Sequence, residues 1–415
     1  MTQTVTIVGA GLVGICTAIT LAERNLSVRL IDKEAPGLGA SFGNAGIISP
    51  WSVLPQPLPG IWKNIPRLVF GRHRVLKPHI SQWPKLIPWG LSFLRQTSVD
   101  RVQKSAQAMF HLCEPSIELY RQLLVGTGHE DLIQDAWYVH AFRNETTARQ
   151  WDETAIDYRL RREFGADIEF ASSDTLREIE PSLGTDFKAA VLIKGQARAR
   201  APGKIAQALF DKAQTMGVIF HQAEMKSLKR EGDGWKIHCK TQSFASDKIV
   251  LAAGAWSAKL LEPMGIKLPL MAERGYHVEF ADPGVSLNNS VMDMDAKIVA
   301  SSMADGLRVA GASEFCNIDA PADPKRADLM TRQSRVILPD LDVTKRTLWF
   351  GHRPSFPDSL PMLDEFKQQP GLFAAFGHSH YGLMMAPKSG QIVADLIEGR
   401  NSNVDLTRFA SDRFQ

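Results

Sequence analysis

The chain has 415 residues, 44% hydrophobic and 22% charged, the balance of an ordinary globular protein with enough length for a large core and two domains. Its net charge of +3 is too small to argue for a nucleic-acid partner. Cys16, Cys113, Cys239 and Cys316 form no C-x-x-C pair and predict neither a zinc site nor a disulfide framework, so no metal is expected. No apolar run approaches the roughly 20 residues of a membrane span.

Val5, Ile7 and Val8 make a short apolar run of the kind found in a buried parallel strand. With a first strand beginning by about Thr4, no signal peptide is expected, and the inferred location is cytoplasmic. Gly9, Gly11 and Gly14 then spell G-x-G-x-x-G where strand passes to helix. The first glycine permits the turn, the second lets a pyrophosphate approach the backbone, and the third lets helix and strand pack closely. The helix N-terminus offers free N–H groups to the phosphates. Val28, Leu30 and Ile31 form a second strand, closed by Asp32, whose carboxylate is placed to accept ribose hydroxyls. Together these elements predict a dinucleotide site.

A small, polar, glycine-rich stretch follows, "ASFGNAGIISP" (40–50), where a nicotinamide dehydrogenase would add further strand–helix units. The next segment is rich in proline and tryptophan. The dinucleotide pattern resumes late, with a helix from Pro202, a strand over 218–221, an apolar run at 249–251 and the turn Ala252-Ala253-Gly254. Near the C-terminus a strand over 372–376 leads through a loop at 377–382 into a helix ending near Ile397. Its N-terminus would stabilise negative charge on a reduced flavin.

These pieces resemble the FAD-dependent D-amino acid dehydrogenase family, within the D-amino acid oxidase and glycine oxidase superfamily. "ASFGNAGIISP", "RGYHVEF", "WFGHRPSFPDSLPML" and "GHSHYGLMMAPKSGQ" carry the likeness, which covers nearly the whole chain. It implies an α/β protein of the glutathione-reductase-like FAD fold, a Rossmann-like FAD-binding domain (1–50, 196–265 and 346–415) interleaved with an α+β substrate domain (51–195 and 266–345). It also implies FAD contacts at Ser41, Asn44, Ala45 and Gly46. Asp32 would take the adenosine ribose, Lys33 and Met225 the adenine side, Ala253 and Gly254 the pyrophosphate. Gly377, His378, Gly382 and Leu383 would lie by the flavin.

The resemblance further implies hydride transfer from the substrate Cα to flavin N5, giving an imine that hydrolyses to a 2-oxo acid. Arg353, before Pro354 and therefore in extended backbone, is the expected carboxylate anchor. Tyr276 is expected on the substrate side and His378 in the flavin-facing loop, as polar contacts with no dedicated base required. The bulky "HSHY" at 378–381 replaces smaller residues of alanine-type relatives and points to a cyclic substrate such as D-proline or hydroxy-D-proline. An oxygen-using glycine, sarcosine or D-amino acid oxidase is the alternative, and a flavoprotein subunit of a larger dehydrogenase the second. Cys316 lies outside the flavin-loop motif, so a covalent flavin link is not expected. The Trp-, Lys- and Pro-rich stretch over 60–94 suits a membrane surface. With the family's delivery of electrons to the respiratory chain, it suggests a quinone acceptor and peripheral contact with the cytoplasmic face of the inner membrane.

Overall fold

The computed structural model describes residues 3–63, 66 and 76–414. Its first layer is a six-stranded sheet. Thr4–Val8 lies near the centre, between Lys248–Leu251 and Ser27–Asp32, with Ile219–Gln222 beyond the latter. Leu372–Phe376 extends the other side in parallel, and Met362–Glu365 closes that edge antiparallel. The central strands are apolar on both faces because helices cover one side and the small sheet 225–246 packs toward the other. The strands thus end together at the turn carrying Gly9.

Two helices set the site. Leu12–Glu23 follows the glycine turn and is buried along most of its length. Gly382–Glu398 packs against it so closely that a Cβ on Gly390 would lie 2.8 Å from the backbone at Cys16 and Thr17. This second helix contains Pro387, which has no N–H to donate to the carbonyl four residues back. Tyr120 fills that vacancy, its hydroxyl donating to Leu383 O at 2.7 Å.

The second layer is a ten-stranded, mostly antiparallel sheet. Eight strands run in the order Arg346–Ser355, Met271–Phe280, Gly306–Phe315, Ile298–Met303, Ser290–Asp293, Ile133–Phe142, Ala189–Ala199 and Ile47–Ile48, with Leu76–Pro78 paired to Gly306–Phe315 and Ile168–Ser172 to Ala189–Ala199 off that path. One face packs on helix Lys325–Ile337 through Val278, Phe280, Val309, Ile337 and their neighbours. The opposite face looks toward the first layer.

Strand pairing runs across the expected domain limits. Arg346–Ser355 was expected to open the last FAD-binding segment, but it hydrogen-bonds along its whole length to Met271–Phe280. Ala189–Ala199 straddles the expected limit at 195/196 and pairs with Ile133–Phe142, and Ile47–Ile48 joins its far edge. Strand pairing decides membership, and backbone partners far apart in sequence are invisible to local pattern.

Candidate active site

A cavity of about 1960 Å³ lies between the two layers. Its nucleotide end is built by the glycine turn. Gly9 has φ +118°, and a Cβ there would lie 2.3 Å from Ala252 O, so only glycine fits. Asp32 accepts backbone N–H groups from Ala10 (2.7 Å) and Glu34 (3.0 Å), which orients its carboxylate at the cavity wall. Burial pushes its carboxyl up from the ordinary value, against the pull of those two donors. Neither helix that faces the cavity has an acidic residue in its first turn, so both N-termini can receive negative charge. Lys33 lies over the Trp256 ring, 4.3 Å from its centroid, and Met225 lines the same cavity.

Of the residues expected to touch the cofactor, Gly9, Gly11, Asp32, Lys33, Ser41, Asn44, Ala45, Met225, Ala253, Gly254, Gly377, Gly382 and Leu383 line this cavity. Gly14 and Gly46 do not. Gly14 serves packing instead: a Cβ there would lie 1.9 Å from Gly9 O. Gly46 sits at φ +80° against Ala199 O, turning the chain into the second sheet. Ser41 accepts the Leu12 N–H at 3.1 Å, so its hydroxyl sits at the start of the nucleotide helix.

The loop around Phe42, Gly43 and Asn44 is held from the second sheet. Arg308 Nη1 donates to Phe42 O (3.0 Å) and Asn44 O (2.8 Å), and His277 Nδ1 pairs with Gly43 O at 3.2 Å. Three successive carbonyls are therefore occupied on one side of the loop. Burial, with the Arg308 charge, pushes the His277 pKa down to about 3, so the ring is neutral. Neither residue announces itself in the sequence, because the clamp joins positions more than two hundred residues apart.

The opposite end of the cavity is organised by Glu273, a buried carboxylate that sequence reasoning missed. Oε1 receives His380 Nε2–H at 2.9 Å and Arg353 Nη1 at 3.2 Å, and Oε2 receives Ser355 Oγ at 3.2 Å. The Ser313 hydroxyl also donates to Oε1. Burial alone would raise this carboxyl. His380, Arg353 and the Ser313 bond overcome it and hold Glu273 well below the usual carboxylate range. The cluster ties the loop at 377–382, through His380, to three strands of the second sheet.

Arg353 is among the residues that line the cavity. It is half-buried in the cavity wall, and Nη1 also donates to Ala312 O at 3.1 Å. Gly275 makes room for it: a Cβ there would lie 2.2 Å from Nη2. "RGY" thus places the needed residue one position before the tyrosine.

Tyr276 is among the residues that line the cavity. Glu273 and Gly275 share that wall, while strand alternation packs the Tyr276 side chain in the core among Val278 and Phe280. Its hydroxyl donates to Glu314 Oε2, which leaves it no free donor for a substrate carboxylate. His378 lines the cavity but is buried and paired with Ser389 Oγ at 2.9 Å; burial pushes its pKa down to about 3. It is a neutral histidine joining the loop to helix Gly382–Glu398.

The model of the family described as DAO, FAD dependent oxidoreductase, matches residues 4–396. The chain belongs to this family of FAD-dependent oxidoreductases. It is 34% identical over 418 residues to a D-amino-acid oxidase of Bradyrhizobium diazoefficiens, covering 99% of this chain and 98% of that one. It is 29% identical over 421 residues to a D-amino acid dehydrogenase of Rhizobium rhizogenes, covering 99% of each. Among solved structures, glycine oxidase from Geobacillus kaustophilus superposes with a TM-score of 0.76 over 100% of both chains at 23% identity, a likeness of fold. The DAO-family cofactor, FAD, fits the residues present. The glycine turn leaves backbone exposed where a pyrophosphate must approach, and two helix N-termini without acids face one cavity whose volume is ample for a dinucleotide.

Proposed function

We propose that this enzyme oxidises a D-amino acid at Cα, with Arg353 holding the substrate carboxylate. The observation that carries the reading is the Arg353–Glu273–His380 cluster in the wall of the FAD cavity. Glu273 fixes one edge of the guanidinium, so the planar fork is oriented before substrate arrives. Bound FAD supplies the two-electron oxidant. The chain's part is to fix Cα beside it, and His378 and His277, both neutral by burial, add no competing positive charge. The names of the relatives support the D configuration.

The cyclic substrate inferred from "HSHY" belongs to this reading as its most specific form. Those side chains are held to the walls: His378 to Ser389, His380 to Glu273, and the Tyr381 hydroxyl to Leu54 O at 2.5 Å. Bulk at these positions therefore gives the cyclic class no added weight. The test is anaerobic flavin absorbance with D-proline, hydroxy-D-proline and D-alanine in turn, then with the L enantiomers. Bleaching by a D-amino acid supports the reading; bleaching by L enantiomers alone overturns it. Oxygen added to the reduced sample separates an oxidase from a dehydrogenase.

Delivery of electrons to a quinone at a membrane surface is supported by one feature. On helix Trp83–Arg95, Trp83, Ile87, Leu91 and Leu94 are exposed along one stripe, with Ile80 just before it. No acidic residue occurs between Glu34 and Asp100, while Lys63, Lys77, Lys85 and Arg95 do. Positions 64, 65 and 67–75 of the stretch expected to meet the membrane lie outside the described residues. No helix among the described residues is long and apolar enough to cross a membrane.

A further inference from the structure

The cavity continues beyond Arg353. Backbone register places His277 opposite Ala310, Ala310 opposite Val299, Val299 opposite Met292 and Met292 opposite His140. Paired residues share a face, so this transverse row runs across the cavity side of the second sheet to a lobe walled by Tyr138, His140, Met292 and Met294.

His140 is 2% exposed, and its Nδ1 lies 2.8 Å from the Tyr158 hydroxyl. Its Nε2 has no hydrogen-bond partner. The groups around it are satisfied: Tyr138 donates to Met292 Sδ at 3.1 Å, and Arg161 pairs with Asp157 and donates to Trp51 O at 3.1 Å. Burial, with the Arg161 and Lys297 charges, holds the imidazole neutral, and burial keeps the Tyr158 hydroxyl protonated. When the Tyr158 hydroxyl is the donor to Nδ1, the neutral ring carries its hydrogen on Nε2. A buried donor with no partner costs stability unless a ligand meets it.

We propose that this lobe is the side-chain subsite of the amino-acid substrate, and that it takes an aryl side chain bearing a hydrogen-bond acceptor at its far end. The inference rests on Arg353 as the carboxylate anchor. The Arg353 guanidinium reaches the Gly306–Phe315 strand at Ala312 O, three strand steps from the strand of His140. Three steps span about 14 Å. Ala312 also stands two residues along its strand from Ala310, the residue in the row of His140, which makes the whole span about 16 Å; with hydrogen bonds of roughly 3 Å at either end about 10 Å remains, room for an extended para-hydroxyaryl amino acid and far more than an alanine fills. Met292 and Met294 give the polarisable, adaptable walls an aromatic ring favours. The acceptor at the tip matches both the Nε2 donor and the positive charges of Arg161 and Lys297.

The experiment compares D-tyrosine, D-phenylalanine and D-alanine on the FAD-loaded enzyme. In parallel, 3-(4-hydroxyphenyl)propionate and 3-phenylpropionate, which lack the amine and cannot be oxidised, are titrated by the shift they cause in the flavin spectrum. The expected kcat/KM for D-tyrosine exceeds that for D-phenylalanine about tenfold or more, with a similar ratio between the two dissociation constants. Both ratios should fall toward one in His140→Phe. In Met292→Trp, which fills the lobe, both aryl substrates should lose at least tenfold relative to D-alanine. Turnover of D-alanine or D-proline with D-tyrosine no better than D-phenylalanine, and no difference between the two propionates, overturns the subsite and leaves the proposed function standing. Flavin that no D-amino acid reduces overturns both. The wild-type ratios decide the matter even where a variant does not fold.

Discussion

Arg353 and Glu273 make the sharpest case at the scale of single residues. Removing the guanidinium in Arg353→Ala should lower kcat/KM about 100-fold, the cost of a lost charge-assisted fork. Arg353→Lys should recover only part, because an ammonium cannot bind both carboxylate oxygens in one plane. Glu273→Gln keeps the shape but removes the charge that orients Arg353, so KM should rise about tenfold with a smaller change in kcat; steady-state kinetics separate the two. The buried histidines set a pH limit. His277 and His378 have pKa values pushed down to about 3, and His352 to about 4, chiefly by burial. Unfolded, each takes a proton near pH 6.5. Between those values the unfolded chain binds more protons than the folded one, so stability falls as pH drops below about 6.5. Thermal melts at pH 7.5 and 5 should show the loss; an unchanged midpoint would contradict the burial assignment. Arg353 was legible from its R-P setting, whereas Glu273 was not, because its significance comes from His380, over a hundred residues away.

The decisive contact between secondary elements is that of helix Leu12–Glu23 with helix Gly382–Glu398. Gly390 lets their backbones meet, so Gly390→Val should overpack the contact and destabilise the protein by about 1–3 kcal/mol. FAD retention should weaken with it, since both helices present their N-termini to the cofactor cavity; calorimetry and flavin content after gel filtration would check this. The glycine turn, the strand–helix order and the start of helix Pro202–Thr215 could all be read in advance, because local periodicity and capping chemistry determine them. The pairing of Arg346–Ser355 and Ala189–Ala199 could not. A strand's apolar pattern shows that it is a strand and says nothing of which neighbour takes its hydrogen bonds.

For the whole molecule, the near-neutral total hides an uneven distribution. The acid-free region between Glu34 and Asp100 places positive charge beside the exposed stripe of helix Trp83–Arg95, which also lines the cavity. The purified enzyme should therefore co-sediment with anionic vesicles at low ionic strength and much less with neutral ones, and added salt should weaken the binding. Ile87→Glu together with Leu91→Glu should abolish co-sedimentation while the far-ultraviolet circular dichroism is retained. Equal pelleting with neutral vesicles, or none with anionic ones, would remove the membrane reading.

The sequence by itself determined the dinucleotide turn and the strands and helices around it, since these are written in residues close together and follow from local geometry; FAD and its fold came from the resemblance of longer motifs to a known family, which also singled out Arg353 as the candidate anchor. Only the tertiary structure decided which face of Met271–Phe280 meets the cavity, turning Tyr276 to the core and Glu273 inward. It alone clamped the loop around Gly43 with Arg308 and His277, and left one nitrogen of His140 without a partner. Those outcomes depend on strand register and on contacts between distant segments. A shift of one residue in register would exchange every inward side chain for an outward one, and no local pattern in this chain specifies that register.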